Sequence, residues 1–200
     1  ANQPTVAIVS TGNELVDIHE TPLPHQVRKS NVYALAAELI KLGIQSELFH
    51  LSDDKQAMMQ KLDEILSDHQ VVLMSGGVSK GKFDFVPAVL EQLGVVKKFH
   101  RIRQKPGKPL MFGVRDDRNV VFAFPGNPVS TFMCFHKYFV PWLKGILGIR
   151  SLPDYHAIMA EDFSIKTGLA YFLQVDARID GQGKLIARPM VGKGSGDHAN

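Results

Sequence analysis

Short, fully apolar runs alternate with helical segments through the first 150 residues, and this alternation restricts the fold more than any other feature. The runs at residues 5–10 and 71–74 have the length and unbroken hydrophobicity of strands that are buried on both faces. Residues 31–42 and 129–147 place apolar side chains at helical spacing, and Ser30 or Asn31 can cap the first of these helices. Because a helix that connects two parallel strands packs on the face of their sheet, the sequence predicts an α/β fold. We expect a three-layer α/β/α domain with a mostly parallel sheet at residues 1–150.

The pattern changes after Gly148. The last part of the chain carries strand-like stretches without a helical period, and Asp180-Gly-Gln-Gly183 is typical of a hairpin turn. Residues 151–200 are too few to close a barrel or to bury two packed sheets. We therefore predict a partial β module there. The start at Ala1 rather than at a methionine also suggests an excised fragment.

The composition argues against several classes of protein. The single cysteine, Cys134, excludes an internal disulfide and a multi-cysteine zinc site, and its apolar neighbours predict a buried side chain. The formal net charge of +3 is too small to indicate a nucleic-acid partner. No apolar run approaches the roughly 18 residues that a membrane-spanning helix needs, and we see no signal peptide. We therefore expect a cytoplasmic protein with no membrane or nucleic-acid partner.

Three loops combine glycine or proline with polar donors where strand-like runs end. They are residues 75–84, 105–109 and 125–130. In an open parallel sheet, ligands bind beyond the carboxyl ends of the strands, and amide, hydroxyl and ammonium donors all suit an anion. Lys105-Pro-Gly-Lys-Pro109 is the most specific of the loops, because it places two ammonium groups three residues apart on a stiff turn. The sequence therefore predicts an anion-binding site at one edge of the sheet.

Each loop also has a purely structural interpretation. Asp84 and Asn127 suit the caps of the helices that follow them, and Pro128 suits the first turn of a helix. The lysine-containing loop has the composition of a solvated turn. The residues alone leave both interpretations open.

Carboxylates follow two of the predicted strands. Glu14 comes after the first strand, and Asp53 comes after the second. Carboxylates at strand ends near an anion site are candidate ligands of Mg²⁺, which takes oxygen ligands and often bridges phosphate. Asp54 is expected to be a helix cap or a surface charge. The histidines show no metal-ligand spacing, so we expect all of them to be structural or exposed.

These segments together resemble a known family. The bacterial MoeA proteins and the E domain of gephyrin, which are molybdopterin molybdenumtransferases, carry similar segments in the same order. The resemblance covers residues 5–150 closely and residues 151–200 more loosely. The segments that carry it are Thr11-Gly-Asn-Glu-Leu15, Ser30-Asn31, Ser75-Gly-Gly-Val-Ser79 with Gly81, Asp84-Phe85, Lys105-Pro-Gly-Lys-Pro109 and Pro125-Gly-Asn-Pro-Val-Ser130.

The resemblance implies an enzyme of molybdenum cofactor biosynthesis that inserts molybdate into adenylated molybdopterin and releases AMP, with Mg²⁺ as the cation. It implies catalytic and metal-binding roles for Glu14, Asp53 and Asp84. It also implies a homodimer in the full-length protein and the molybdopterin adenylyltransferase as a partner to be tested. The residues implied to bind phosphate or pterin are Thr11, Gly12, Ser75, Gly76, Gly77, Ser79, Gly81, Lys105, Gly107, Lys108, Pro125, Gly126, Asn127, Ser130 and Ser195.

Several positions differ from the family pattern. Asn13, Lys29 and Lys80 stand where family members commonly have other residues, and Leu169 stands where an arginine is expected. The extra lysines make the predicted pocket more basic without removing it, whereas any arginine role in the β module is in doubt. The family's N-terminal segment and its lid-like second domain have no counterpart in this chain. We therefore expect weak ligand binding by the chain on its own.

Two other functions fit parts of the sequence. A molybdopterin adenylyltransferase or a CinA-type nucleotide pyrophosphatase domain would share the fold, but those proteins lack the loops at residues 105–109 and 125–130 as a pair. A non-enzymatic binding module, comparable to the peptide-binding side of gephyrin, would need an exposed apolar patch near the β module. The sequence does not show such a patch clearly.

Overall fold

A computed structural model of the chain describes residues 3–78, 85–116, 118–150, 155–165 and 168–190. The predicted site residues Ser79, Gly81, Asp84 and Ser195 lie outside these ranges. The elements in chain order are β1 (Val6–Thr11), β2 (Leu15–Val16), β3 (Val27–Arg28), α1 (Ser30–Lys41), β4 (Ser46–Leu51), α2 (Lys55–Asp68), β5 (Val71–Ser75), α3 (Val86–Gln92), β6 (Val96–His100), β7 (Gln104–Lys105), β8 (Met111–Arg115), β9 (Asn119–Phe124), α4 (Pro128–Cys134), a π-helical turn (Phe135–Phe139), α5 (Val140–Ile146), β10 (Ile158–Met159), β11 (Ala170–Tyr171), β12 (Val175–Ile179) and β13 (Leu185–Pro189).

The central sheet has six strands in the order β4-β1-β5-β9-β8-β6. Strands β4, β1, β5 and β9 are parallel, which confirms the predicted mostly parallel sheet. Strand β8 runs antiparallel to both β9 and β6. Residues 116–118 alone separate β8 from β9, which is too short for a crossover helix, so these two strands pair as a hairpin.

Alternate side chains of the parallel strands enter cores on opposite faces of the sheet. In β1, Val6 and Ile8 pack with residues of α1 and α4, whereas Ala7 and Val9 pack with residues of α2 and α3. All four side chains are at most 2% exposed. Burial on both faces explains why the strand sequences are apolar without alternation, and it produces the predicted three layers.

The last long helix is not continuous, contrary to the sequence prediction. Helix α4 passes into the π-helical turn Phe135–Phe139 before α5 begins. Cys134 lies at the end of α4 and is fully buried, as its apolar neighbours predicted. Single π turns of this kind are rare and occur frequently at functional sites.

The end of the chain forms a separate three-stranded sheet in the order β10-β13-β12. Strands β12 and β13 pair antiparallel around the turn at residues 180–183, which confirms the predicted hairpin. The carboxylate of Asp180 accepts hydrogen bonds from the backbone N–H groups of Gln182 and Lys184. Within the described residues, no helix combines the length and the hydrophobicity that crossing a bilayer requires.

Candidate functional site

The carboxyl ends of the four parallel strands lie side by side. Thr11 at the end of β1 pairs in register with Leu51 of β4, and Ser75 at the end of β5 pairs with Phe124 of β9. The backbone hydrogen bonding continues one residue beyond β5, where the Gly76 N–H donates to the Phe124 carbonyl at 3.2 Å. The segments that follow the four strands form one surface, which we call the strand-end corner. It comprises residues 11–14, 50–53, 75–78 and 125–127.

Asn31 joins three segments at this corner. Its side-chain amide donates to Ser75 Oγ at 2.8 Å and to the Gly126 carbonyl at 2.9 Å, and Thr131 Oγ1 lies 3.4 Å away. The sequence suggested Ser30 or Asn31 as the cap of α1, and this was wrong. Lys29 occupies the cap position without a side-chain hydrogen bond. The amide of Asn31 instead fixes the end of β5 to the loop after β9.

The backbone after β5 closely approaches the end of β1. Gly76 has a φ of +98°, and a Cβ atom there would lie 2.9 Å from Thr11 Oγ1 and 3.1 Å from the Thr11 carbonyl oxygen. Any side chain would therefore meet both an unfavourable backbone conformation and the neighbouring strand. The glycine allows the main-chain atoms of the loop, rather than a side chain, to line the corner.

The loop at residues 105–109, which we call the lysine turn, lies at the same edge of the sheet. It precedes β8, whose first residue Met111 pairs with Ala123 near the end of β9. Because β8 is antiparallel, the start of this strand meets the ends of its parallel neighbours. His100 Nε2 lies 3.1 Å from the Val78 carbonyl oxygen and connects the end of β6 to the glycine loop. The predicted convergence of the three loops at one edge is thus confirmed for their described residues.

The lysine turn also contacts the last part of the chain. Strand β7 pairs with β11, and Lys105 is opposite Tyr171 in this pair. The Lys105 carbonyl accepts a hydrogen bond from the Phe172 N–H at 2.9 Å. The ammonium group of Lys105 lies 5.9 Å from the centre of the Tyr171 ring, within the range of a cation–π contact. Lys105 and Lys108 are both exposed, so their ammonium groups face solvent.

Two carboxylates flank the other end of the corner. Asp53 Oδ2 accepts from the Asn13 N–H at 3.1 Å, and Asn13 Oδ1 accepts from the Asp53 N–H at 3.1 Å. This reciprocal pair holds the loop after β4 against the loop after β1. The Glu14 carboxylate folds back over Gly12, since a Cβ on that glycine would lie 2.4 Å from Glu14 Oε2. Asp54 caps α2 through a 2.7 Å bond from Ala57 N–H, as predicted.

His50 lies beside these carboxylates and is a residue that sequence reasoning passed over. Its Nδ1 atom is 2.9 Å from Ser10 Oγ on the neighbouring strand. Although the ring keeps an exposed face, desolvation lowers the pKa of His50, and the Lys29 ammonium lowers it further. The hydrogen bond at Ser10 and the charges of Glu14 and Asp53 act in the opposite direction. Its position near the carboxyl end of a predicted strand could have indicated that His50 lies at the site.

The carboxylates of the corner are ligands of the type that Mg²⁺ takes. Among the residues that the structure describes, no group of three histidine, cysteine or acidic side chains is arranged to hold a metal. Glu14 and Asp53 are two carboxylates near one histidine. Mg²⁺ is commonly bound by one or two carboxylates together with water and substrate phosphates, so a complete protein cage is not needed.

The loop after β9 uses its polar groups internally. Asn127 Oδ1 accepts from the Ser130 N–H at 3.0 Å and lies 3.1 Å from Ser130 Oγ, which makes Asn127 the cap that the sequence predicted. Pro125 is buried, and its carbonyl accepts from Thr131 Oγ1. Gly126 is exposed at the tip of the loop. Of this loop, the backbone at Gly126 is therefore the part that faces outward.

A cavity of about 750 Å³ lies elsewhere, among residues at the amino ends of β1 and β4 and at the end of α2. Thr5, Glu47 and His69 contribute to its lining. In parallel sheets, ligand sites form at the carboxyl ends of the strands, which is the opposite edge. We therefore assign the candidate site to the strand-end corner and the lysine turn, not to this cavity.

Comparison with known proteins agrees with this architecture. The family described as "Probable molybdopterin binding domain" matches residues 7–145. A molybdopterin molybdenumtransferase of Synechocystis sp. is 41% identical over 197 residues, which are 98% of this chain and 48% of that protein. The molybdenum cofactor synthesis protein cinnamon of Drosophila melanogaster is 38% identical over 171 residues, 82% of this chain and 28% of that protein. The chain thus spans half or less of the length of these curated relatives.

Solved structures show the same fold. A crystal structure of the molybdopterin biosynthesis moeA protein of Pyrococcus horikoshii has a TM-score of 0.75 and 31% identity, and it covers 94% of this chain and 45% of that one. The CinA protein of Thermoplasma acidophilum, at 15% identity and a TM-score of 0.57, covers 70% of this chain and shows a shared fold only. The match over residues 7–145 and the arrangement of the strand-end loops lead to one conclusion: the chain belongs to the family of molybdopterin-binding domains found in molybdenum cofactor biosynthesis proteins.

Proposed function

We propose that this chain is the molybdopterin-binding core of a molybdopterin molybdenumtransferase. The reaction inserts molybdate into adenylated molybdopterin and releases AMP. The substrate carries phosphate groups and the second substrate is an oxyanion, so both require a site rich in amide and ammonium donors. The two sulfur ligands of molybdenum belong to the pterin. The reaction therefore needs no protein thiolate, and Cys134 is buried away from the surface.

The observation that carries the proposal is the meeting of two different donor types, main-chain amides and lysine ammonium groups, at one edge of the sheet. The glycine backbone after β5 and the exposed Gly126 lie beside one another, held by Asn31. The lysine turn comes to the same edge through the antiparallel strand β8. Main-chain donors would hold phosphate groups, while Lys105 and Lys108 would neutralise their charge.

The carboxylates have a separate role in this proposal. Glu14 and Asp53 would hold Mg²⁺, together with Asp84, which lies outside the described residues. When bound, the cation would neutralise phosphate charge and polarise the adenylate linkage. The Asn13–Asp53 pair fixes the direction of one carboxylate, and His50 supplies a nearby imidazole whose pKa is lowered by desolvation and by the Lys29 ammonium.

We further propose the organisation of the protein in which this chain works. Residues 1–150 would be the binding domain, and residues 151–200 would begin a C-terminal β domain. The protein would act in the cytoplasm as a homodimer and would receive its substrate from the molybdopterin adenylyltransferase. The Synechocystis relative is about twice as long as this chain, since 98% of the chain covers 48% of it, which leaves room for further domains in such proteins.

The test is an assay of AMP release from adenylated molybdopterin in the presence of molybdate and Mg²⁺. Replacing the carboxylates in Glu14→Gln and Asp53→Asn should lower the rate roughly tenfold to a thousandfold, while affinity for the substrate changes by less than about threefold. Chelation of the divalent cation should produce a loss of similar size. AMP would be quantified by chromatography, and binding would be followed by pterin fluorescence.

Asp54→Asn is the matched control, because Asp54 is the neighbouring carboxylate and acts as a helix cap. Asparagine is an equally good cap, so this variant should keep the rate of the unchanged protein. Equal losses in Asp53→Asn and Asp54→Asn would contradict a specific role for Asp53. Adenylylation of molybdopterin by ATP, or hydrolysis of nucleotide pyrophosphates without molybdate, would instead support the related activities that share this fold.

A further inference from the structure

A chain of polar side chains lies beneath the lysine turn, buried at Gln104 and Cys134 and half-buried at Tyr138. The side chain of Gln104, which directly precedes the turn, is 3% exposed. Its Oε1 atom accepts a hydrogen bond from the Tyr138 hydroxyl. Its Nε2 group donates to Cys134 Sγ at 3.5 Å, and the thiol in turn donates to the Gly107 carbonyl at 3.8 Å. The chain thus runs from the π-helical turn to the middle of the lysine turn.

The lysine turn packs directly against the side chains of Cys134 and Gln104. Gly107 has a φ of +87°, and a Cβ atom there would lie 2.4 Å from Cys134 Sγ and 2.7 Å from Gln104 Nε2. The turn is thus in close contact with Cys134 and Gln104, which leaves no space for a side chain at Gly107, and the positive φ also disfavours one. The position of the two flanking lysines therefore depends on the groups beneath Gly107.

The Cys134 thiol and the Tyr138 hydroxyl both keep their protons and can therefore act as hydrogen-bond donors. Burial raises the pKa of Cys134 to about 12, so the thiol keeps its proton and remains a donor. Burial also raises the pKa of Tyr138, and the nearby Cys134 adds to this effect. Tyr138 lies within the π-helical turn, a feature that recurs at functional sites. A buried polar chain of this kind rigidifies its surroundings when all of its members are satisfied.

We propose that Gln104 and Tyr138 are positioning residues that hold Lys105 and Lys108 in the geometry required to bind a diphosphate group. This inference rests on the proposed function, which makes the lysine turn an anion clamp. Neither Gln104 nor Tyr138 touches the anion in this account. They act through the backbone of the lysine turn, and removing them costs affinity because the two ammonium groups must then be ordered when the ligand binds.

The experiment measures the affinity of the protein for inorganic pyrophosphate by calorimetry at low ionic strength. Tyr138→Phe removes only the hydroxyl and should weaken binding roughly fivefold to tenfold. Lys105→Ala with Lys108→Ala should weaken it more. When Tyr138→Phe is added to this double lysine variant, affinity should change by less than about twofold, because a positioning residue has no effect once the groups it positions are absent.

Tyr155→Phe is the matched control, since Tyr155 is 83% exposed, and it should leave affinity unchanged. Gln104→Met keeps the length of the side chain and provides a second variant if Tyr138→Phe folds poorly. Equal effects of Tyr138→Phe with and without the lysines would overturn the inference, as would an unchanged affinity in both Tyr138→Phe and Gln104→Met.

The outcomes also separate this inference from the proposed function. If the unchanged protein does not bind pyrophosphate, the lysine turn is not an anion clamp and both proposals fail. If pyrophosphate binding depends on Tyr138 as expected but no AMP is released from adenylated molybdopterin, the positioning role stands and the molybdate insertion reaction is wrong.

Discussion

The strand-end corner and the lysine turn lie at the same edge of one sheet, but they are held there in different ways. The corner is held by hydrogen bonds from the first turn of α1, where Asn31 donates to Ser75 Oγ at the end of β5 and to the Gly126 carbonyl after β9. The lysine turn is supported from below by buried side chains and from one side by β11. The position of the corner thus follows from strand register, with the Asn31 hydrogen bonds fastening it, whereas the position of the turn depends on packing against Gln104 and Cys134 and on pairing with β11.

Because the lysine turn packs tightly against Cys134, we expect the largest loss of stability when Gly107 is replaced. Gly107→Ala should lower the free energy of unfolding by about 2–4 kcal/mol, because the new methyl group meets both a positive φ and the Cys134 sulfur. Urea denaturation followed by circular dichroism measures this change. Gly145→Ala is the control, since an added Cβ there meets nothing within 4 Å, and it should be neutral or stabilising by up to about 1 kcal/mol in helix α5. A stable Gly107→Ala protein would show that the turn is not packed tightly against its support.

A smaller effect is expected at the corner. Asn31→Ala leaves the Gly126 carbonyl and Ser75 Oγ without their donor, so it should cost about 1–3 kcal/mol of stability and weaken pyrophosphate binding roughly tenfold. Calorimetry and urea denaturation together measure the two quantities.

Asn119→Ala provides a matched control for this prediction. The Asn119 amide also donates to two carbonyls, those of Leu66 and His69, but it lies at the start of β9 and therefore at the opposite edge of the sheet. Its replacement should lower stability to a similar extent and leave anion affinity within about twofold. If both variants lost affinity equally, general loosening of the sheet would explain the result better than a local role for Asn31.

The smallest expected effect is a change in the pKa of His50 when a nearby positive charge is removed. Lys29→Met removes an ammonium group that lowers the pKa of His50, so this pKa should rise, while desolvation continues to hold it below its ordinary value. Nuclear magnetic resonance titration of the imidazole measures it. A lowered folded-state pKa means that stability is lost as the pH falls below the ordinary histidine value, and the substitution should lessen that loss. Lys97→Met, on the other outer strand of the sheet, should leave the titration unchanged.

The two regions also differ in how far the sequence predicted them. The apolar runs of β1 and β5 are buried on both faces, and this predicted a parallel sheet whose carboxyl ends meet. The position of the corner followed from that topology. Asp54 and Asn127 as helix caps followed from local chemistry, because a cap bonds to an amide only three residues away.

The remaining features depend on contacts between residues distant in sequence. Gln104 is separated from Tyr138 by 34 positions, and no local pattern indicates that the two side chains meet. Asn31 was predicted as a possible helix cap because its type and position suit one, yet its amide reaches Gly126, 95 positions away. Propensity describes what a residue does with its immediate neighbours, and tertiary contacts override it. The roles of the site residues in binding and catalysis stay predictions.

The pairing of β7 with β11 has a practical consequence for dividing this protein into pieces. The Lys105 carbonyl accepts a hydrogen bond from the Phe172 N–H, and the Arg103 guanidinium donates to the Gly168 carbonyl at 2.9 Å. A polypeptide cut at residue 150, where sequence similarity to the binding domain has already ended, would expose one side of the lysine turn to water. Such a shortened protein would keep its six-stranded sheet but lose one of the contacts that position the lysine turn, so a loss of the proposed anion affinity in it would reflect the cut and not the chemistry of the domain.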